Sequence, residues 1–282
     1  MRLATYNMRG RPSFGAVVGE GIVDLRGRLS RFATLVEVFR ANALADAEAA
    51  AAGVRPDVPL AEVELLPPLL APEKILCIGI NYANRGADYN VTNNPRYPSM
   101  FYRAPNSLVG SGQSLVRPKI SEQLDYEGEI AVVIGCECKH VAKERALETI
   151  AGVTLANEGT IRDWTRHGQF NVTQGKNFDA SGAIGPWIET GVDLAKPMHL
   201  VTRKNGEVIQ DDTTASMIFS FADIIAYTTS FMTLKAGDVI CTGTPVKKTP
   251  KNEPPVWLKP GDTIEVESPG IGVLRNSVVD EA

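Results

Sequence analysis

Apolar residues occur along this chain in short runs, and the polar residues between them sort the runs into elements. LATYN and GAVVGEGIVDL, near the start, have the alternation and β-branched content of strands. RFATLVEVFRANALADAEAAAA then changes to helical spacing and predicts one helix from about Ser30 to Ala52. LLPPLLAPEK, Leu65 to Lys74, cannot continue a helix, because proline lacks the amide N–H and clashes with the preceding turn; it predicts a boundary. Strands dominate beyond it: KILCIGI, PSMFYR, SLVGSG, LDYEGEIAVVIG, GVTLAN, GPWIE, LVTRKNGEVIQ, DVICTG, TIEVES and GVLRNSVV. Asn205-Gly206 inside LVTRKNGEVIQ predicts a tight hairpin turn. Short helices are predicted over Lys143 to Ile150, around Thr160 to His167, and from Phe221 to Met232. The pattern is α+β with much antiparallel strand, in a small N-terminal α/β module (1–70) and a larger domain (71–282). No G-x-G-x-x-G opens a helix after a strand and no G-x-x-x-x-G-K-[ST] occurs, which argues against a nucleotide fold.

One run breaks the apolar rule. In LDYEGEIAVVIG, Glu127 and Glu129 stand two apart, so on a strand they share a face about 6 to 7 Å apart. At an effective dielectric near 20 their charges repel by roughly 2 to 3 kcal/mol, before any burial cost. An exposed strand face would tolerate this, but IAVVIG is apolar on both faces, as in a covered strand. A divalent cation resolves the conflict, since hard carboxylate oxygens suit Mg²⁺, Mn²⁺ or Ca²⁺. Glu158 closes the GVTLAN strand and is the candidate third ligand; its alternative role is a carboxylate at the start of the short helix that follows. Lys176, in the small-residue loop TQGKNFDASG, is either an ordinary surface lysine or a group that stabilises an enolate and carries protons beside such a metal.

Composition narrows the setting. The chain has 282 residues, 44% hydrophobic, enough for a substantial core. Its formal net charge of -4 offers no basic patch for nucleic acid and no basic amphipathic helix for a membrane surface. There is no apolar run of spanning length and no apolar segment of signal-peptide type at the N-terminus, so a cytoplasmic location is expected. Three of the four cysteines, Cys77, Cys136, Cys138 and Cys241, lie in strand-like runs, as buried free thiols do. Cys136-x-Cys138 with His140 lacks the second pair that a closed metal site needs.

Taken in order, KILCIGINY, DYEGE, NEGTIRD, QGKNFD, GPWI, NGEVIQDDTTASMIF, CTGTP and LKPGDTIEVESPGIGVLRN resemble the fumarylacetoacetate hydrolase family, from Pro72 to about Val279. The resemblance implies a mixed β-sandwich or β-roll catalytic domain, a homodimer, Mg²⁺ or Mn²⁺ at the site, and action on small 2-oxo acids. It assigns Glu127 and Glu129 to the metal. Glu158 stands where an aspartate ligand is usual. Lys176 matches the site lysine, Arg162 the arginine of the NEGTIRD run, and Thr244 a threonine that meets the substrate carboxylate. Arg103 stands where a lysine is common, keeping a positive charge for a carboxylate. The family's hydrolases often carry Asn-Tyr-x-x-His-x-x-Glu, whose histidine and glutamate activate water. Here NYANRGAD puts Arg85 and Asp88 at those places, and a permanently charged arginine is a poor base. Thr165 replaces a glutamine common after the third ligand, and the nearby His167 is a candidate substitute base.

The leading expectation is metal-dependent hydrolysis of a C–C bond in a 2,4-dioxo acid such as an acylpyruvate, with Lys176 on the enolate and Asp88 or His167 deprotonating water. Arg85 would then grip a second carboxylate, as in fumarylpyruvate. Decarboxylation or isomerisation of 2-oxo or 2-hydroxy-dienoate diacids is the alternative that needs no activated water. A non-catalytic 2-oxo-acid-binding protein is the third reading.

Overall fold

The structure, a computed structural model, describes residues 1–83, 85–86, 93–169, 171–248 and 255–282. Its largest sheet runs from edge to edge through Val58–Pro59, Gly21–Asp24, Arg11–Val18, Arg2–Met8, Gly182–Glu189, Ile150–Asn157, Gly128–Ile134, Val239–Cys241, Ile75–Gly79 and Ser99–Tyr102. Most pairings are antiparallel; Val239–Cys241 runs parallel to Ile75–Gly79. A second sheet is ordered Glu207–Thr213, His199–Lys204, Thr263–Ser268, Gly272–Asp280, Leu115–Arg117. The sheet-rich α+β architecture expected from the strand pattern is present.

Gly128–Ile134 is central, and all its residues are buried, as the apolar run on both faces requires. Alternate residues serve two cores. Ile130, Val132 and Ile134 pack with Leu200, Ile264, Val266, Leu274 and Val278 of the second sheet, forming the sandwich. Ala131 and Val133 pack on the other face with Leu3, Phe14, Val23, Leu35 and Phe39 from the N-terminal segment. The division expected at residue 70 falls in the proline-rich link, and strands on either side of it join one sheet: Arg2 pairs with Glu189 and Leu3 with Ile188.

The hairpin turn lies at Asn205-Gly206, both at positive φ, as a two-residue turn of matching twist requires. The continuous helix expected over Ser30 to Ala52 is not formed. The segment holds Leu35–Arg40 and Leu44–Ala51, after a single turn at Leu25–Arg28. Thr34 starts the first of these by accepting the Glu37 amide at 3.3 Å, and Asn42 ends it in the left-handed region at φ 52°. The stretches predicted at Lys143 and Thr160 are 3₁₀ segments, Lys143–Thr149 and Arg162–Arg166, and Phe221–Phe231 is a full helix. Among the described residues no helix is long and apolar enough to cross a membrane.

Candidate active site

Glu127, Glu129 and Glu158 converge where the two central strands meet. The Glu158 amide donates to the Glu127 carbonyl at 2.7 Å, and the Glu127 amide donates to Asn157 Oδ1 at 2.9 Å. Two glycines permit the close approach: a Cβ at Gly128 would lie 2.0 Å from Thr202 Oγ1, and one at Gly159 would lie 1.8 Å from the Ser181 carbonyl. The glutamates are 4%, 1% and 2% exposed, and one carboxylate oxygen from each lies within 4.8 Å of the others. Among the described residues this is the sole grouping of three or more metal-capable side chains. Cys136 is exposed, Cys138 partly buried, and His140 exposed, with no such grouping around them.

Cations surround the cluster unevenly. Lys176 Nζ donates to Glu127 Oε2 and, at 2.7 Å, to Glu158 Oε2. Arg85 and Arg162 reach Glu127 Oε1 at 2.8 and 2.7 Å, and Thr160 Oγ1 donates to Oε2. Burial alone would raise the Glu127 carboxyl, but Lys176, Arg162 and Arg85 outweigh it and hold it well below the usual range. Glu129 has no ion pair among the described residues. Burial, then Glu158, Cys241 and Glu127, push it well above the ordinary value, against one amide hydrogen bond from Gly243 at 2.8 Å. That amide is presented by a backbone at φ 104°, where a Cβ would lie 2.7 Å from Asn81 Cβ; the glycine of CTGTP is needed there. Three converging buried carboxylates, one of them (Glu129) with no ion pair among the described residues, offer an all-oxygen donor set that fits a hard divalent cation held by Glu127, Glu129 and Glu158.

Arg103 corrects its expected role. Its side chain is fully buried, and its N–H groups go to Glu158 (2.8 Å), the Gly159 carbonyl (2.7 Å), Ser107 and Ser181. A guanidinium whose donors are spent on protein orients Glu158 and does not meet a substrate carboxylate. Thr244 is buried, and its hydroxyl accepts from Gln210 Nε2 at 2.8 Å; the same Gln210 accepts the Gly128 amide, tying CTGTP to DYEGE. His167 is exposed, its ring 4.0 Å from that of Trp164, and no hydrogen bond links it to the acidic cluster among the described residues. Thr165 is tied to the Arg162 carbonyl. Asp88 lies outside the described residues.

Two participants were not anticipated. Asp125 accepts from Arg162 Nε and Nη2 at 3.0 and 2.8 Å, and Lys247 Nζ donates to its other oxygen. Asp125 stands in the DYEGE run, so its charge beside the pair was a visible signal. Lys247 is separated from it by 122 residues, and nothing in local spacing links them.

Known proteins resemble this chain in sequence and in fold. The family described as fumarylacetoacetate (FAA) hydrolase C-terminal matches residues 74–279. The mitochondrial oxaloacetate tautomerase Fahd2a of Rattus norvegicus is 36% identical over 269 residues, 93% of this chain and 85% of that protein. The fumarylacetoacetate hydrolase from Exiguobacterium antarcticum superposes with a TM-score of 0.83 at 32% identity, all of each chain being covered. The 5-carboxymethyl-2-hydroxymuconate delta-isomerase from Mycobacterium smegmatis does so at 0.77 and 29%, again with full coverage of both. These relatives are enzymes of different reaction types that share one scaffold, and with its acidic triad in place this chain belongs to the fumarylacetoacetate hydrolase family.

Proposed function

We propose that the chain catalyses metal-dependent keto–enol interconversion of a small 2-oxo acid. The observation that carries this reading is Lys176, buried and held between Glu127 and Glu158 at the acidic triad. Glu127, Glu129 and Glu158 would hold Mg²⁺ or Mn²⁺, with Ca²⁺ the third choice. When bound, the cation supplies the positive charge that favours an enolate over the ketone. Lys176 donates a hydrogen bond to the developing enolate oxygen. On return to the ketone its ammonium delivers a proton to the adjacent carbon while the enol O–H proton passes to solvent. The neutral amine left behind is reprotonated from solvent or, in the reverse direction, takes the proton from that carbon. Thr244 and Arg162 orient the acid's carboxylate.

This reverses the order expected from sequence, where hydrolysis came first. Arg85, at the place of the usual histidine, is buried against Glu127, and His167 is exposed against Trp164. Neither is placed to deprotonate water, whereas enolisation needs no water nucleophile. The rat relative named as an oxaloacetate tautomerase and the isomerase among the similar structures support the same order. Hydrolytic C–C cleavage is kept as the second reading, favoured by Asp88 standing three residues after Arg85 and by the likeness to a fumarylacetoacetate hydrolase.

The test follows the enol's ultraviolet absorbance with oxaloacetate, and pyruvate release from acylpyruvates, with Mg²⁺ or Mn²⁺. The expected result is faster approach to keto–enol equilibrium, abolished by chelator and by Glu127→Ala. Activity surviving both treatments would defeat the reading. Incorporation of ¹⁸O from solvent water into a released acid would promote the hydrolase instead.

A further inference from the structure

Lys247 and Asp125 belong to none of the roles above, yet they extend the site in one direction. Lys247 pairs with Asp125; Asp125 pairs with Arg162; Arg162 reaches Glu127 Oε1; and Arg85 meets the same oxygen. The result is a row of cation, anion, cation, anion, cation, positive at both ends. The Lys247 ammonium also lies over the Tyr126 ring at 4.4 Å and 6.0 Å from that of Trp257, so aromatic faces hold a charge that is largely shielded from water. The row is graded in access. The Arg103 and Lys176 side chains are 0% and 6% exposed, whereas those of Lys247 and Arg162 retain 17% and 19%. Lys247 and Arg162 thus form the solvent-facing end of the site, and Lys176 its interior.

Charge balance says what this end is for. Asp125, Glu127, Glu129 and Glu158 face Arg85, Arg103, Arg162, Lys176 and Lys247, so cations outnumber carboxylates even before a divalent ion adds its two charges. A mono-acid substrate removes one charge of the surplus. A diacid removes two, and only a diacid places its second charge away from the triad, toward Lys247. An ammonium that gives one of its three N–H groups to Asp125 among the described residues has donors suited to a carboxylate oxygen.

We propose that Lys247, across Asp125 from Arg162, forms a second anion subsite that reads the remote carboxylate of a 2-oxo dicarboxylate, making Lys247 a specificity-determining residue. The inference rests on the 2-oxo-acid reading above and adds to it the residue that would tell a diacid from a mono-acid.

The test compares two four-carbon probes that differ only at the remote end: oxaloacetate, which carries a carboxylate there, and 2-oxobutyrate, which carries a methyl. Binding is measured by calorimetry on the Mn²⁺-loaded protein and by the rise in melting temperature, for the wild type, Lys247→Gln and Lys247→Arg. The wild type is expected to prefer the diacid by roughly tenfold or more, the scale of one charge-assisted hydrogen bond. Lys247→Gln should reduce that ratio to near unity, and Lys247→Arg should restore most of it. In turnover, the loss should fall on KM for the diacid more than on kcat, because a remote contact is made equally in ground and transition states. Equal weakening of both acids by Lys247→Gln, together with a lowered melting temperature, would show that Lys247 only pins the CTGTP segment to Asp125, and would overturn the proposal. Equal wild-type affinity for both acids would overturn it too, leaving the 2-oxo-acid reading intact. No binding of either acid would instead remove that reading, and this inference with it.

Discussion

Glu127 and Glu129 stand two residues apart on one chain and have opposite surroundings. Lys176, Arg85 and Arg162 contact Glu127, while Glu129 receives only the Gly243 amide among the described residues. Their isosteric amides should therefore differ in stability. Glu127→Gln leaves buried cations without a counter-charge and is expected to cost about 3 kcal/mol, the lower end for breaking a buried pair, since Lys176 and Arg162 keep Glu158 and Asp125. Glu129→Gln replaces a carboxyl whose charged form burial and its acidic neighbours disfavour, and should cost less than about 1 kcal/mol. Urea titrations in chelator measure both, and equal losses would contradict the assignment. Both variants should lose divalent-ion affinity. The Glu127–Glu129 pair was legible because alternation places charge on a run that has no solvent face, whereas Glu158, at a strand end, needed its motif context. Lys176 became legible only through its motif context, since a lysine in a glycine-rich loop has no distinguishing pattern. Arg103 was misread for a physical reason: sequence shows a charge but not which partner spends its donors. Lys247 was invisible because long-range pairing leaves no local periodicity.

At the scale of elements, short-range chemistry was read well where side chain and backbone interact locally. The Asn205-Gly206 turn is one such case, and the Phe221–Phe231 helix is another. Ser220 accepts the Asp223 amide, and the Asp223 carboxylate accepts the Ser220 amide at 3.1 Å, closing a capping box. Burial would raise the Asp223 carboxyl, but Lys143 and the Ser220 hydroxyl and amide hold it below its usual range. A carboxylate depressed on folding stabilises the native state fully above its unfolded pKa, about 4, and loses that contribution as pH falls through the folded value. Asp223→Asn should thus cost about 1 kcal/mol at neutral pH, with the gap to wild type closing in strong acid. Stability curves against pH for the two proteins check the sign; a gap that widens in acid would refute it. The Ser30 to Ala52 stretch shows the opposite lesson. Its apolar spacing is helical throughout, but the Thr34 cap and the left-handed Asn42 cut it into short pieces, and local breaks of this kind override a periodic signal.

For the whole molecule, the proline-rich link suggested two units, whereas the cores suggest cooperation between them. Ala131, Val133, Ile184 and Ile188 of the central sheet pack with Leu3, Phe14, Val23, Leu35 and Phe39, all from before the link. Residues two apart on a strand share a face, so Glu129 projects on the same side as Ala131 and Val133, the side that the N-terminal segment covers further along the strand. Removing residues 1–70 would bare that apolar face, and with it the Gly182–Glu189 strand that pairs with Arg2–Met8. A bared sheet face and a new sheet edge both favour aggregation, and the loosened strand would no longer aim Glu129 at Glu127 and Glu158. A 71–282 fragment is therefore expected to lose cooperative melting and at least tenfold in Mn²⁺ affinity, on the order of 1.4 kcal/mol, while the full chain shows a single transition. Calorimetric melting and Mn²⁺ titration of both proteins make the comparison. A fragment that melts cooperatively and binds Mn²⁺ as the full chain does would establish that residues 71–282 hold the site unaided, and that the N-terminal strands merely extend a sheet already complete.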